Sequence, residues 1–355
     1  MKNLAERPKV IMIPNNHAYI HELTKALKEK NVSVTLLPSF HYSTLSNIIK
    51  ILRLRKKGYD IIHIQWTYIF PFTFLMKFFV KLFRKLNFKI VWTIHDFHEE
   101  SLKSRYSSKE RLVWLYDNSD YRFIHYKSNI ASFEKIIEKK VNNTEVIYHP
   151  VFSSYKNTIS AEKSRELLSL QKKDKVLLLF GKIRKYKGFE LFIKAFESLD
   201  KEYKGLIVGQ SSHPDLVKVL KEKEKILPNI KIFDKYISDD DLQIYFNAAD
   251  VVILPYLSIT TSGVALLAYH FRKPVITTNI GGMPETVFDG ETGLLIDPND
   301  IEGLIIAIKK IFKMDYKKMG DKAFEMKKIK FNWDNLAEKT KNVYEKVIKN
   351  DCKKK

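Results

Sequence analysis

Cysteine is almost missing from this chain. Cys352 stands alone, so no internal disulfide can form, and a reducing compartment is the expected setting. Long apolar runs are missing too: no stretch of about 18 or more uninterrupted apolar residues is found, so nothing is expected to span a membrane. Met1 to Lys9 lead directly into a short strand without the features of a secretory leader. Acidic residues are scarce, 41 against 62 Lys and Arg, for a formal net charge of +21. The deficit is spread: residues 1–150 hold 13 acidic against 25 basic side chains, and the remainder 28 against 37. Such a balance favours anionic partners, whether phosphorylated substrates, a lipid surface or nucleic acid. No nucleic-acid-binding motif accompanies it and the lysines are scattered, so a nucleic-acid partner is not expected. No strong zinc spacing is present, and no metal is expected.

What is there is apolar and periodic. With 45% apolar and 13% aromatic residues, 355 residues suffice for two cores. Short apolar runs read as strands at Lys9–Pro14, Val32–Pro38, Asp60–Trp66, Phe88–His95, Tyr121–Tyr126 and Glu145–Tyr148. A polar stretch from Ser153 to Lys173 reads as an interdomain linker. The alternation then resumes at Val176–Phe180, Gly205–Val208, Ile230–Phe233, Val251–Pro255, Pro274–Thr278 and Gly293–Ile296. Strands alternating with helical segments imply parallel sheets covered on both faces, an α/β chain.

Two stretches carry chemistry. In VVILPYLSITTSGVALLAYH, Val251 to His270, a strand opens into a polar loop with Thr261 and Ser262, then a helix from about Gly263. A helix start offers unpaired N–H groups and a positive dipole end, which suits an anion. In LLLFGKIRKYKGFELFIKAF, Leu177 to Phe196, a strand runs into Gly181, and four of the next six residues are basic. A cationic loop at a strand's carboxyl end can neutralise a leaving diphosphate; its bland alternative is an exposed lysine-rich turn. Downstream, aspartates 239–241 are placed to cap a helix, and Glu285 sits in the turn GGMPE.

The succession from the strand and Pro255 through Ser262-Gly263, KPVI, GGMPE and DGETGLL resembles the C-terminal half of GT-B glycosyltransferases of the group 1, family 4-like type. The TTSG form is similar to a subset with exopolysaccharide and β-mannosyltransferase-like members. The two Glu residues usual in the family are replaced by Ile259 and Leu267. The resemblance implies two Rossmann-like domains facing across a cleft: an acceptor-side domain of residues 1–155, joined by a final helix near 334–350, and a donor domain of residues 156–333. It implies that Gly181, Lys182, Lys187 and Gly209 lie near the donor diphosphate, with Thr261, Ser262 and Gly263. Tyr236 and Ile237 would lie against the base. Glu285 is the substitute candidate for ribose or sugar contact, a helix-start carboxylate being its alternative.

For the acceptor side the resemblance points to His17, in the loop after the first strand, as a base if the anomeric centre inverts. Imidazole suits that task near neutral pH. It points to His95 as a contact of the transferred sugar if the centre is retained. His98 and Glu99, in the run Asp96 to Glu100, are further candidates. The expected activity is transfer of a hexose from a nucleoside-diphosphate sugar to a hydroxyl of a lipid-linked or polysaccharide acceptor, with no cofactor. A non-catalytic subunit and a basic nucleic-acid-binding protein are the alternatives. Lys77, Lys81, Arg84 and Lys85 gather on one face of an otherwise apolar segment, Tyr68 to Lys89, which suits a helix in an anionic lipid interface. A cytoplasmic chain, peripheral on the inner face of the membrane, is the matching location.

Overall fold

The apolar runs become twelve strands in two wholly parallel six-stranded sheets in the computed structural model. The structure describes residues 7–352 except 41–43, 96, 98–101, 103–107, 152–154 and 212. The chain divides into two compact units, Met1–His149 with Asn332–Lys355, and Pro150–Phe331.

The first unit runs β1 (Lys9–Ile13), α1 (Ala18–Glu29), β2 (Ser33–Leu36), α2 (Thr44–Lys56), β3 (Ile61–Ile64), a 3₁₀ turn (Thr67–Ile69), α3 (Thr73–Lys85), β4 (Lys89–Ile94), α4 (Lys109–Asn118), β5 (Tyr121–Ile124), α5 (Asn129–Ile137) and β6 (Thr144–Val146). Its sheet order is β2-β1-β3-β4-β5-β6. Helices α2 to α5 share one core with the sheet, with Ile51, Phe79, Leu115 and Phe133 packing among Ile62, Ile90 and Trp92.

The second unit runs α6 (Ala161–Leu167), β7 (Lys175–Phe180), α7 (Phe189–Phe196), β8 (Tyr203–Val208), α8 (Pro214–Ile226), β9 (Ile230–Phe233), α9 (Leu242–Ala248), β10 (Val251–Leu254), α10 (Gly263–His270), β11 (Val275–Thr278), α11 (Met283–Thr286), β12 (Gly293–Ile296), α12 (Ile301–Ile311) and α13 (Tyr316–Ile329). Its sheet order is β12-β11-β10-β7-β8-β9. The last helix, α14 (Trp333–Cys352), groups with the first unit. Lys30, at the end of α1, pairs with Asp334 at 2.6 Å, and the Tyr344 hydroxyl lies 2.6 Å from His63 Nδ1.

In each sheet the strand order reverses once, between β1 and β3 in the first and between β7 and β10 in the second. At such a point the two following loops diverge to opposite faces and leave a crevice at the strands' carboxyl ends. Those crevices decide where the candidate residues matter.

Three expectations are corrected. Residues 156–173 are not a linker: they carry α6, started by Ser160, whose hydroxyl accepts from Lys163 N. Arg165 on that helix donates to the carbonyls of Ala248, Lys172 and Asp174 and pairs with Asp250 at 2.8 Å. Polarity here reflects a hydrogen-bonded strap, not a free one. The division of the chain falls at 149/150, ahead of this segment. Of the aspartates at 239–241, Asp241 stands at the N-cap of α9 but makes no side-chain cap bond: its carboxylate accepts from the Ser238 hydroxyl instead. Finally, the apolar cylinder of α3 is mostly core. Met76, Phe79 and Phe83 are buried, whereas Phe74 and Phe78 are 65% and 57% exposed.

Candidate functional site

In the second unit the loop after β7 and the loop after β10 flank the strand-order reversal. Gly181 N donates to Val208 O and Gly209 N to Phe233 O, so the turns after β7 and β8 continue the ladder side by side. Lys182 is exposed. A 3₁₀ turn, Lys185–Lys187, then brings the Lys187 ammonium back: a side chain at Gly181 would meet it at 2.5 Å and would touch Val264, in the first turn of α10, at 3.5 Å. Gly188 closes this loop at φ +72, and any Cβ there would collide with Pro255 O at the end of β10. Only glycine permits that approach. Leu257 N donates to Tyr186 O and Gly282 N to Thr260 O, fastening the β10 loop to its neighbours on either side.

Helix α10 begins at Ser262, whose hydroxyl accepts from Ala265 N and lies 2.7 Å from the hydroxyl of buried Tyr256. Gly263 is exposed, and a Cβ there would touch nothing. Thus the first turn of α10 faces open ground beside Lys187 with its N–H groups and dipole end. Burial, followed by the nearby Arg184 and Lys182, pulls the Lys187 pKa down to about 8, and no carboxylate among the described residues offsets that shift. A desolvated cation beside a helix start, lacking a carboxylate, is a site that gains from a bound anion. Tyr236 is 73% exposed after β9, while Ile237 is buried. Glu285 lies on the short α11, its carbonyl accepting from Lys330 at 2.9 Å. Leu267 is buried on α10, so it fills core rather than presenting a polar group.

In the first unit the matching loops carry His17 and Trp66. His17 caps α1, its Nδ1 accepting from Tyr19 N at 3.2 Å. Its ring is 4.6 Å from that of Trp66, which stacks on His95 at 4.2 Å. The cap uses the Nδ1 lone pair, so a neutral His17 carries its proton on Nε2, a donor rather than the expected base. His95 differs from expectation as well: both ring nitrogens are bonded inside the unit, Nδ1 to His125 Nε2 and Nε2 to the Gln65 amide, each at 3.0 Å. His125 bonds on to Ile147 O, and His63 sits between Thr93 and Tyr344. Desolvation holds His63 and His125 down at about 3 and His95 well below its ordinary value. Buried Arg111 donates to Thr67 O and Phe70 O at 2.7 Å, fixing the turn behind Trp66. His98, Glu99 and their neighbours Asp96 and Glu100 lie outside the described residues.

Residues 160–326 match the family Glycosyl transferases group 1. The second unit is a group 1 glycosyltransferase domain. An uncharacterized 41.2 kDa protein in the cps region of Klebsiella pneumoniae is 25% identical over 264 residues, covering 73% of this chain and 70% of its own. Several further relatives are matched over only about half of their own length. Among solved structures, sucrose-phosphate synthase from Thermosynechococcus elongatus superposes with a TM-score of 0.74 at 19% identity, over 97% of this chain and 99% of that one. Anabaena HepE in complex with UDP gives 0.73 at 15% identity, over 94% and 98%. The whole chain therefore has the GT-B fold of two Rossmann-like units. Within the glycosyltransferase domain, Gly181 lies against both Lys187 and the first turn of α10. The partners Tyr256 and Arg165, and His125 in the first unit, were not singled out, because their roles depend on groups far away in sequence or on which lone pair is already used.

Proposed function

We propose that this chain transfers a hexose from a nucleoside-diphosphate sugar to a hydroxyl of a lipid-linked or polysaccharide acceptor. Lys187 carries the reading: a desolvated ammonium with no carboxylate beside it, held against the start of α10 where the sheet reverses its order. The donor's diphosphate lies there, and as the glycosidic bond breaks, Lys187, Lys182 and the N–H groups at Gly263 take up the growing charge. Tyr236 covers the base, and Glu285 contacts the sugar or ribose in place of the Glu pair. On the first unit, His17 orients the acceptor by donating from Nε2, and Glu99 is the candidate base. No cofactor or metal takes part. The Klebsiella relative encoded in a cps region and the UDP complex of HepE support a glycan product and a nucleotide donor.

A second reading concerns location. Phe72, Phe74 and Phe78 are exposed on and before α3, alongside Lys81 and Lys85, and α2 exposes Leu45, Ile49 and Leu52. Aromatic side chains beside cations favour an anionic lipid surface, which brings the enzyme to a lipid-linked acceptor. No described helix is long and apolar enough to cross a membrane.

Turnover of UDP-, GDP- and ADP-sugars with mixed glycan and glycolipid acceptors, with and without EDTA, tests the activity. Product in any combination, insensitive to EDTA, is expected; silence across the panel would favour a non-catalytic subunit. Co-sedimentation with anionic vesicles at low salt tests the location, and full recovery in the supernatant would refute it.

A further inference from the structure

The hydroxyls of Tyr256 and Ser262 lie 2.7 Å apart, and this contact has a consequence for the anion site. Two O–H groups meet at one contact, so one of the two hydrogens needs another acceptor. Tyr256 is 1% exposed, and among the described residues its hydroxyl has no other hydrogen-bond partner. Were Ser262 the donor, the phenolic hydrogen would be buried and unmatched, which folded proteins avoid. With Tyr256 as donor, the accounts close. Ser262 Oγ then accepts twice, from the phenol and from Ala265 N, and both of its lone pairs are used. Its own hydrogen is left to point away from both, at the start of α10, where Gly263 leaves the space empty.

We propose that Tyr256 is a positioning residue: it fixes Ser262 as an obligatory hydrogen-bond donor to a diphosphate oxygen at the start of α10. A serine rotating freely could accept or donate; one with both lone pairs occupied can only donate, and an anion needs donors. The inference rests on the diphosphate reading above. It adds that the anion contact is set from beneath, by a residue that never touches the ligand.

The test is titration calorimetry of the full chain with inorganic pyrophosphate and with UDP. Tyr256→Phe should weaken both about three- to tenfold, and Ser262→Ala by at least as much. The double variant should lose no more than Ser262→Ala alone, because without the Ser262 hydroxyl Tyr256 has nothing left to orient. Ser262→Thr, which keeps the hydroxyl, should stay within about twofold of the wild type. If Tyr256→Phe does not fold, the contrast between Ser262→Ala and Ser262→Thr decides. Unchanged affinity in Tyr256→Phe, losses that add in the double variant, or equal losses in Ser262→Ala and Ser262→Thr would overturn the proposal. A wild-type protein that binds neither pyrophosphate nor any nucleoside diphosphate would instead refute the diphosphate reading on which it rests.

Discussion

His95 Nδ1 lies 3.0 Å from His125 Nε2, deep in the first unit. Because the Ile147 carbonyl can only accept, His125 carries its hydrogen on Nδ1. His95 Nε2 in turn lies 3.0 Å from the Gln65 amide oxygen, and the Gln65 amide nitrogen is directed at the His63 ring. Burial disfavours the charged form of His63, His95 and His125 alike, and the bonds of His95 link the ends of β3, β4 and β5.

Acid should undo this arrangement. The folded pKa values of His63 and His125, about 3, and of His95, well below 6.5, are depressed by burial. The unfolded chain, titrating near 6.5, binds more protons below that pH, so stability is present above 6.5 and falls as pH drops toward 3. Each ring contributes a slope of up to about 1.4 kcal/mol per pH unit in that window. Urea midpoints at pH 7.5, 6 and 5 should fall steadily, and His125→Gln should flatten the decline. A midpoint independent of pH across this range would contradict the account.

Arg165 should be costly to lose. It ties α6 to Ala248 O, Asp174 O and Asp250, with both partners of the ion pair largely buried. Arg165→Ala leaves the Asp250 carboxylate only Val176 N and the Tyr316 hydroxyl as donors among the described residues, with no paired cation, and should destabilise the second unit by about 3 kcal/mol. Limited proteolysis should leave residues 156–173 of the wild type intact and cut them in the variant. Rapid cleavage of the wild type there would restore the linker reading.

Nucleotide affinity should depend on pH through Lys187. Its folded pKa is about 8, and a bound diphosphate raises it, so binding takes up a proton above that value. Affinity for UDP should be flat from pH 6.5 to 7.5 and then fall, approaching about tenfold per pH unit above about 8.5. Lys187→Arg, which keeps its charge, should remove that break. In the free protein the same group acts the other way. The unfolded lysine near 10.5 holds the proton longer, so the contribution to stability rises between about pH 8 and 10.5.

Much of this was legible before any coordinates. All twelve strands lie within a few residues of apolar runs read from the chain, because buried parallel strands need unbroken apolar sequence on both faces. The turn at Gly181, the cationic loop through Lys187 and the helix start at Ser262 were legible because each leaves a local mark. The pairing of Tyr256 with Ser262 was not: which hydroxyl donates depends on burial and on Ala265, neither visible in composition. Likewise the carboxylate of Asp241, at the N-cap of α9, is taken by the Ser238 hydroxyl, a choice among three aspartates in a row that the sequence does not make.

The central claim is that Lys187 and the start of α10 hold a diphosphate. Calorimetric titration of UDP, GDP and ADP into the wild type and Lys187→Ala at pH 7 tests it most directly. The account predicts binding of at least one nucleotide and a loss of at least about tenfold in the variant, the effect of removing one charge-assisted contact. Equal affinity in the two proteins would contradict it.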